Sequence, residues 1–278
     1  MKTLSDLQND IILSDLYRIH NIKHKIFEGS GLYKDCYELS CFIYEKIMNN
    51  KRKLEFIGEL IIFSDEVKEL SNIFFEKLTI YNSKNFQYLI KTRTGELNKW
   101  NKDKKIFSNI DIEIELNVEK DDFIALISHE LNHAFRDYKL HLYDSELKID
   151  KNYIKTKLNG NESTYENIVK NIRYYLYDFE MSAFIAQISS KIQNKKFNSL
   201  HDAYNFISSD NIYRNISMIY RYIQLINIDK YELKLCENDW YKIFNEKLNL
   251  NKITKQVNHF YTKLINHSYL AISEKITK

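Results

Sequence analysis

The sequence predicts an α+β fold: a small mixed or antiparallel sheet, one buried helix after it, and a helical C-terminal lobe. Three observations carry this. Over residues 110–118, Ile110, Ile112, Ile114, Leu116 and Val118 alternate with Asp111, Glu113, Glu115 and Asn117, the period-two pattern of a half-buried strand. The run 123–135 that follows holds no breaker and is apolar on most faces, as a largely buried helix is. Beyond Gly160, successive segments carry apolar residues at helical spacing.

Taken in order, residues near 3–21 and 34–49 read as helices. Residues 54–63, parts of 75–93 and 110–118 read as strands, with Thr94-Gly95 as a turn. Glu119-Lys120-Asp121-Asp122 gives the next helix an acidic start, which its dipole favours. Later helices are expected near 164–192, 200–208, 210–226, 238–248 and 251–275. Ser163-Thr164-Tyr165-Glu166 reads as a capping box opening the first of these. The organisation is then a sheet-bearing N-terminal lobe over 1–160, which includes the buried helix, and a helical lobe over 161–278, or one continuous domain.

Composition narrows the class. The 278 residues suffice for a full core. With no proline, only 5 glycines and abundant Lys, Asn, Ile and Tyr, the gene reads as AT-rich, from a low-GC bacterium, its phage or a similar source. The net charge of +3 comes from well-mixed acids and bases, so no nucleic-acid partner is expected. Lys51-Arg52-Lys53 and Lys102-Asp103-Lys104-Lys105 read as solvated turns. Cys36, Cys41 and Cys236 are odd in number and lack metal-type spacing, which fits reduced thiols. The first residues hold no apolar signal core and no apolar run approaches a membrane span, so a cytoplasmic protein, or one assembled into a virion there, is expected with no membrane partner.

The chemistry is concentrated in His129-Glu130-Leu131-Asn132-His133, an H-E-x-x-H sequence inside the buried helix. Residues four apart on a helix lie one turn apart on one face, so both imidazoles can reach one Zn²⁺. Glu130 between them has the chemistry of a general base toward a metal-activated water. Two histidines and a glutamate inside an apolar helix need partners, and a shared ion supplies them. The bland alternative is a pair of core histidines bonded to carbonyls. His20 and His24 share the spacing without a glutamate between them, and with His201, His259 and His267 they read as surface residues.

A strand, a short acidic turn and a buried H-E-x-x-H helix resemble the zincin metallopeptidase superfamily over roughly 105–190. The resemblance implies that 110–118 is an edge strand receiving an extended peptide, and that a third protein ligand completes the zinc site. The metzincin branch would place histidine where Lys139 stands and glycine at Arg136, so it is excluded. The gluzincin pattern takes a glutamate from a later helix. Glu180, with Ala183 one turn on in a Glu-x-x-Ala element, fits that position.

Competing carboxylates remain. Asp137, one turn past His133, suits the second shell of a ligand histidine. Asp178 lies on another face from Glu180, and Glu166 is engaged by the capping box. His141 is two turns beyond His133, too far to share its ion. Glu180 itself reads otherwise as a surface carboxylate or an ion pair with Arg173. Tyr174, Tyr175 and Tyr177 are candidate oxyanion donors, and Arg136 a candidate carboxylate anchor.

The implied activity is zinc-dependent hydrolysis of a peptide or protein substrate, with His129, His133 and Glu180 as metal ligands and Glu130 as catalytic base. The alternative is a structural or binding protein, for example phage-associated, that retains a zincin-like fold without turnover. A toxin or effector with the same site would differ only in its substrate.

Overall fold

The computed structural model describes residues 30–67, 75–82, 90–92, 100–101, 106–114, 119–141, 155–156 and 164–276. These are mostly helical with one small mixed sheet, an α+β arrangement. The chain divides into two compact units: Ile26–Ser145 with Ser182–Lys196, and Glu146–Met181 with Phe197–Lys278 and the N-terminal residues. No described helix is long and apolar enough to cross a membrane.

In the sheet-bearing unit, α1 (Ser30–Asn49) turns Cys36, Leu39, Ile43 and Ile47 inward at spacings of three and four, one helical stripe. Residues 54–63, expected as one strand, divide between α2 (Lys51–Ile57) and β1 (Glu59–Phe63). Gly58 makes the division. At φ 86° it is left-handed, and its N–H bonds the Leu54 carbonyl at 2.9 Å, closing the helix before the chain extends. Lys51-Arg52-Lys53 thus opens a helix instead of forming a turn.

The sheet continues with β2 (Phe75–Asn82), β3 (Ile90–Thr92), β4 (Trp100–Asn101) and β5 (Ile106–Ile114), in the order β1-β2-β5-β3 with β4 also on β5. β1 is antiparallel to β2, β2 parallel to β5, and β3 and β4 antiparallel to β5. Register sets Leu60 against Ile80, Ile62 against Leu78, Leu78 against Ile110 and Ile80 against Ile112, so one face is apolar throughout. It joins α1 and residues Phe123, Ile127 and Leu131 of α3 (Lys120–His141) in one core. Each such side chain contributes roughly 1.5–3 kcal/mol on full burial.

The edge-strand expectation does not hold. β5 runs inside the sheet, paired along one side with β2 and, at the two ends of the other side, with β3 at 112–114 and β4 at 106–107, so it is not an edge strand. Asp111 and Glu113, expected on a solvated face, are 0% and 3% exposed, with buried Thr79 in register beside Asp111. The alternation reported the apolar face correctly, but could not show that the polar face is covered too. Residues 115–118 and Thr94-Gly95 lie outside the described set, as do the expected N-terminal helix, His20, His24 and the Lys102-Asp103-Lys104-Lys105 cluster.

The expected helix over 164–192 is two, α4 (Thr164–Tyr175) and α5 (Asp178–Asn194). Bonds from the Leu176 and Tyr177 N–H groups to the Arg173 and Tyr174 carbonyls, three residues back and both 3.3 Å, close α4; Met181 N–H to Tyr177 O at 2.9 Å opens α5. Ser163 is outside the described residues, and the Glu166 carboxylate accepts from Lys242 Nζ at 2.6 Å. Next come α6 (Leu200–Ser209), α7 (Asn211–Ile228), α8 (Lys230–Phe244) and α9 (Leu250–Ile276). Capping fixes their joints. Ser199, Asp210 and Asp229 each accept backbone N–H bonds from the helix they open, and Asn245 at φ 56° closes α8 earlier than the expected 248. α7 and α9 run antiparallel: Tyr213 Oη bonds the Leu264 carbonyl at 3.0 Å, Tyr220 stacks on Tyr261 at 4.8 Å, and Asn227 reaches Thr254 at 3.2 Å. His267, expected at the surface, is buried on the inner face of α9 beside Ser268, whose hydroxyl bonds Tyr213.

Candidate metal centre

The motif occupies the middle of α3. Phe123 N–H bonds the Glu119 carbonyl at 2.8 Å, so the helix starts where the acidic turn predicts, with Asp121 and Asp122 in its first turn. Those carboxylates meet the end of α5. Asn194 donates to Asp121, Lys195 lies 3.6 Å from Asp121, and Lys191 lies 3.6 Å from Asp122.

One turn further in, Ser190 Oγ donates to Ser128 Oγ at 2.6 Å, and Ser128 lies 2.9 Å from Ser40 Oγ on α1. Ser40 donates in turn to the Cys36 carbonyl at 2.6 Å. Next, the Phe184 ring meets the His129 imidazole edge to face at 5.1 Å. As the position on α3 rises the partner on α5 falls, which is the signature of antiparallel helices. Buried Ala183 and Ala186 let the two backbones approach.

That register carries the first turn of α5 to the level of the motif. His129, His133 and Glu180 form a group whose ligand atoms all lie within 4.8 Å of one another. His129 is 8% exposed, Glu180 2%, and His133 is half-buried. The two Nε2 atoms are 3.1 Å apart. This donor set fits a metal ion. Tetrahedral zinc with nitrogen at about 2.0–2.1 Å would separate two ligand atoms by roughly 3.3 Å, close to the imidazole pair. The 4.8 Å span asks for an inward shift of roughly 1–2 Å, within the reach of a glutamate rotamer. Two imidazoles and a carboxylate also suit other first-row metals, so geometry alone does not choose the ion. Electrostatics favours a cation here in any case, because a buried carboxylate beside two imidazoles is costly without positive charge in their midst.

Glu130, half-buried, follows His129 on α3, about 100° further around the helix axis. The side chains of Arg136, Asp137, His141 and Asp178 lie outside the described residues. Arg173 pairs with Glu246 at 3.3 Å, and its guanidinium lies over the rings of Tyr177, Trp240 and Phe244. Tyr177 Oη accepts from Arg173 Nε at 3.4 Å and Tyr175 Oη accepts from Asn215 Nδ2 at 2.9 Å. The Tyr175 phenol is held above its usual pKa by burial first, with the Asp210 and Glu180 carboxylates adding to the effect. It stays protonated at neutral pH, as a hydrogen-bond donor must.

Sequence reading missed the Ser40–Ser128–Ser190 chain and the Phe184 contact. The signals were a serine directly before His129 in an otherwise apolar helix, and small residues Ala183, Ala186 and Ser190 at spacings of three and four on α5. No family model, no curated protein and no solved structure matches this chain.

Proposed function

We propose that the protein is a zinc-dependent hydrolase of peptide bonds in the manner of gluzincins, with His129, His133 and Glu180 as ligands and Glu130 as general base. The observation that supports this reading most is the convergence of Glu180, from a different helix, on the two motif histidines. Three protein ligands would leave a zinc ion one open position, the arrangement of catalytic sites, and zinc there would supply Lewis acidity and lower the pKa of water. On this reading each residue of the site has a part. His129 and His133 present neutral imidazoles, Glu180 adds the charge that holds the ion, and Glu130 takes the proton from the attacking water and returns it to the leaving amine.

The deciding experiment combines metal analysis with Glu130→Gln. About one zinc per chain, removable by chelator together with cleavage of a peptide library, is expected. Glu130→Gln keeps the zinc and loses cleavage by at least about 100-fold, the scale of general-base catalysis. Cleavage by Glu130→Gln at the native rate sinks the proposal.

A second reading has an observation of its own. With β5 paired along one side with β2 and at both ends of the other with β3 and β4, the strand before the motif offers an extended peptide little ladder to pair with. That favours a structural or binding protein whose metal locks α3 to α5. Zinc that raises the melting temperature with no cleavage of any library peptide would establish it.

A further inference from the structure

Charge is segregated in the helical unit although the chain as a whole is nearly balanced. From Lys247 to Ser273 the sequence holds no Asp or Glu, and none occurs in α7 either. Along α9, Lys252, Lys255, His259 and Lys263 are all exposed. At 100° per residue these four fall within an arc of roughly 80° and a length of roughly 16 Å, one straight stripe. Among the described residues none of the four side chains has an ion pair or hydrogen bond. Some cations elsewhere are paired, Lys242 with Glu166, Arg173 with Glu246, Lys191 with Asp122 and Lys46 with Glu66, whereas others such as Lys230 and Lys234 are solvated singly; on α9 the unpaired cations fall in one line. α7, antiparallel to α9, holds no acid, and its Arg214 and Arg221 are half-buried.

The rest of the stripe selects its partner. Ile253, Val257, Phe260, Tyr261, Leu264 and Ile265 are buried in the unit's own core. On α9 itself what accompanies the cations at the surface is Asn251, Asn258 and Thr262, all exposed, and the exposed Leu225, Ile228 and Tyr231 belong to α7 and α8 at the stripe's N-terminal end. A membrane surface would call for exposed apolar residues that insert among lipids. Single-stranded nucleic acid would call for exposed aromatic platforms. An acidic protein would call for apolar or aromatic anchors at the centre of the contact. The phosphate backbone of a double helix asks for point charges and neutral hydrogen-bond donors along a rigid line, and that is what α9 offers. We propose that the exposed face of α9 docks on double-stranded nucleic acid through its phosphates, without reading sequence.

The test uses the full chain, treated with chelator so that the outcome is independent of the metal site, and a fluorescent DNA duplex of two helical turns. Binding measured by anisotropy should weaken roughly 40- to 150-fold for a fourfold rise in salt, the slope expected when three to four phosphates are neutralised. Combining Lys252→Glu, Lys255→Glu and Lys263→Glu should weaken it at least tenfold with an unchanged circular dichroism spectrum. Combining Lys51→Glu, Arg52→Glu and Lys53→Glu, an equal change of charge on α2, should leave it within about twofold. The proposal is overturned if the native chain does not bind the duplex at low salt, or if the α9 variant binds like the native chain. It is equally overturned if the α2 variant loses as much, if single strands compete better than duplex, or if phosphatidylserine vesicles displace the duplex.

Discussion

Ser190 donates a 2.6 Å hydrogen bond to Ser128, tying α5 to α3 one residue before the first motif histidine. Both are fully or almost fully buried, and Ser40 extends the chain to α1. A single deletion therefore leaves a buried hydroxyl without its partner. Ser190→Ala or Ser128→Ala should each lower stability by about 1–3 kcal/mol in urea unfolding. The double substitution should cost less than the sum, because no orphaned group remains at that contact. Strict additivity would show that the bond does not couple the helices.

Glu180→Gln keeps shape and removes charge at a position 2% exposed. Zinc affinity, measured by competition with a chelating dye, should fall by more than the roughly 10–100-fold typical of outer-sphere partners. Asp178→Asn, two residues away in the same turn, should leave affinity within about threefold of native, below that same range. If the two variants behave alike, Glu180 is not a ligand.

His267 supplies the pH dependence. Burial first, and then the Lys263 ammonium, lower its pKa from 6.5 to about 4. The unfolded chain takes up this proton at higher pH than the folded one. Its contribution is thus complete above about pH 6.5 and is lost as the pH falls toward about 4. The shift corresponds to about 3 kcal/mol. His267→Gln should flatten the stability profile across that window. An unchanged slope would mean that His267 is already charged in the folded protein.

Gly58 can be tested in isolation. Its φ of 86° is left-handed, and a Cβ built there meets nothing within 4 Å. Gly58→Ala should therefore cost only the backbone penalty, about 1 kcal/mol, seen as a small drop in melting temperature. Gly58→Asn should recover part of it. A loss of several kcal/mol would point to packing that the open surroundings do not predict.

The motif was legible because its geometry is local. His129 and His133 share a face of α3 whatever surrounds the helix, and the acidic turn before it marks the start that the Phe123–Glu119 bond confirms. The start of α7 was also readable, since Asp210 caps within two residues of itself, but α8 opens at Lys230 under the Asp229 cap, eight residues before the expected 238. The strand at 54–63 was misread because a seven-residue helix ended by Gly58 has too few turns to show a period.

What the sequence by itself determined is the helix that carries two imidazoles on one side, since three or four residues of backbone geometry fix it. What only the tertiary structure decided is which carboxylate faces them and which strand lies inside the sheet. Glu180 reaches the motif through the antiparallel register of α3 and α5, set by Asp121 with Asn194, Ser128 with Ser190 and His129 with Phe184. β5 is enclosed because β2 and β3 pair with it from elsewhere in the chain. Helical spacing belongs to neighbours in sequence, whereas register and strand order arise from contacts between segments far apart along the chain, and no local pattern encodes them.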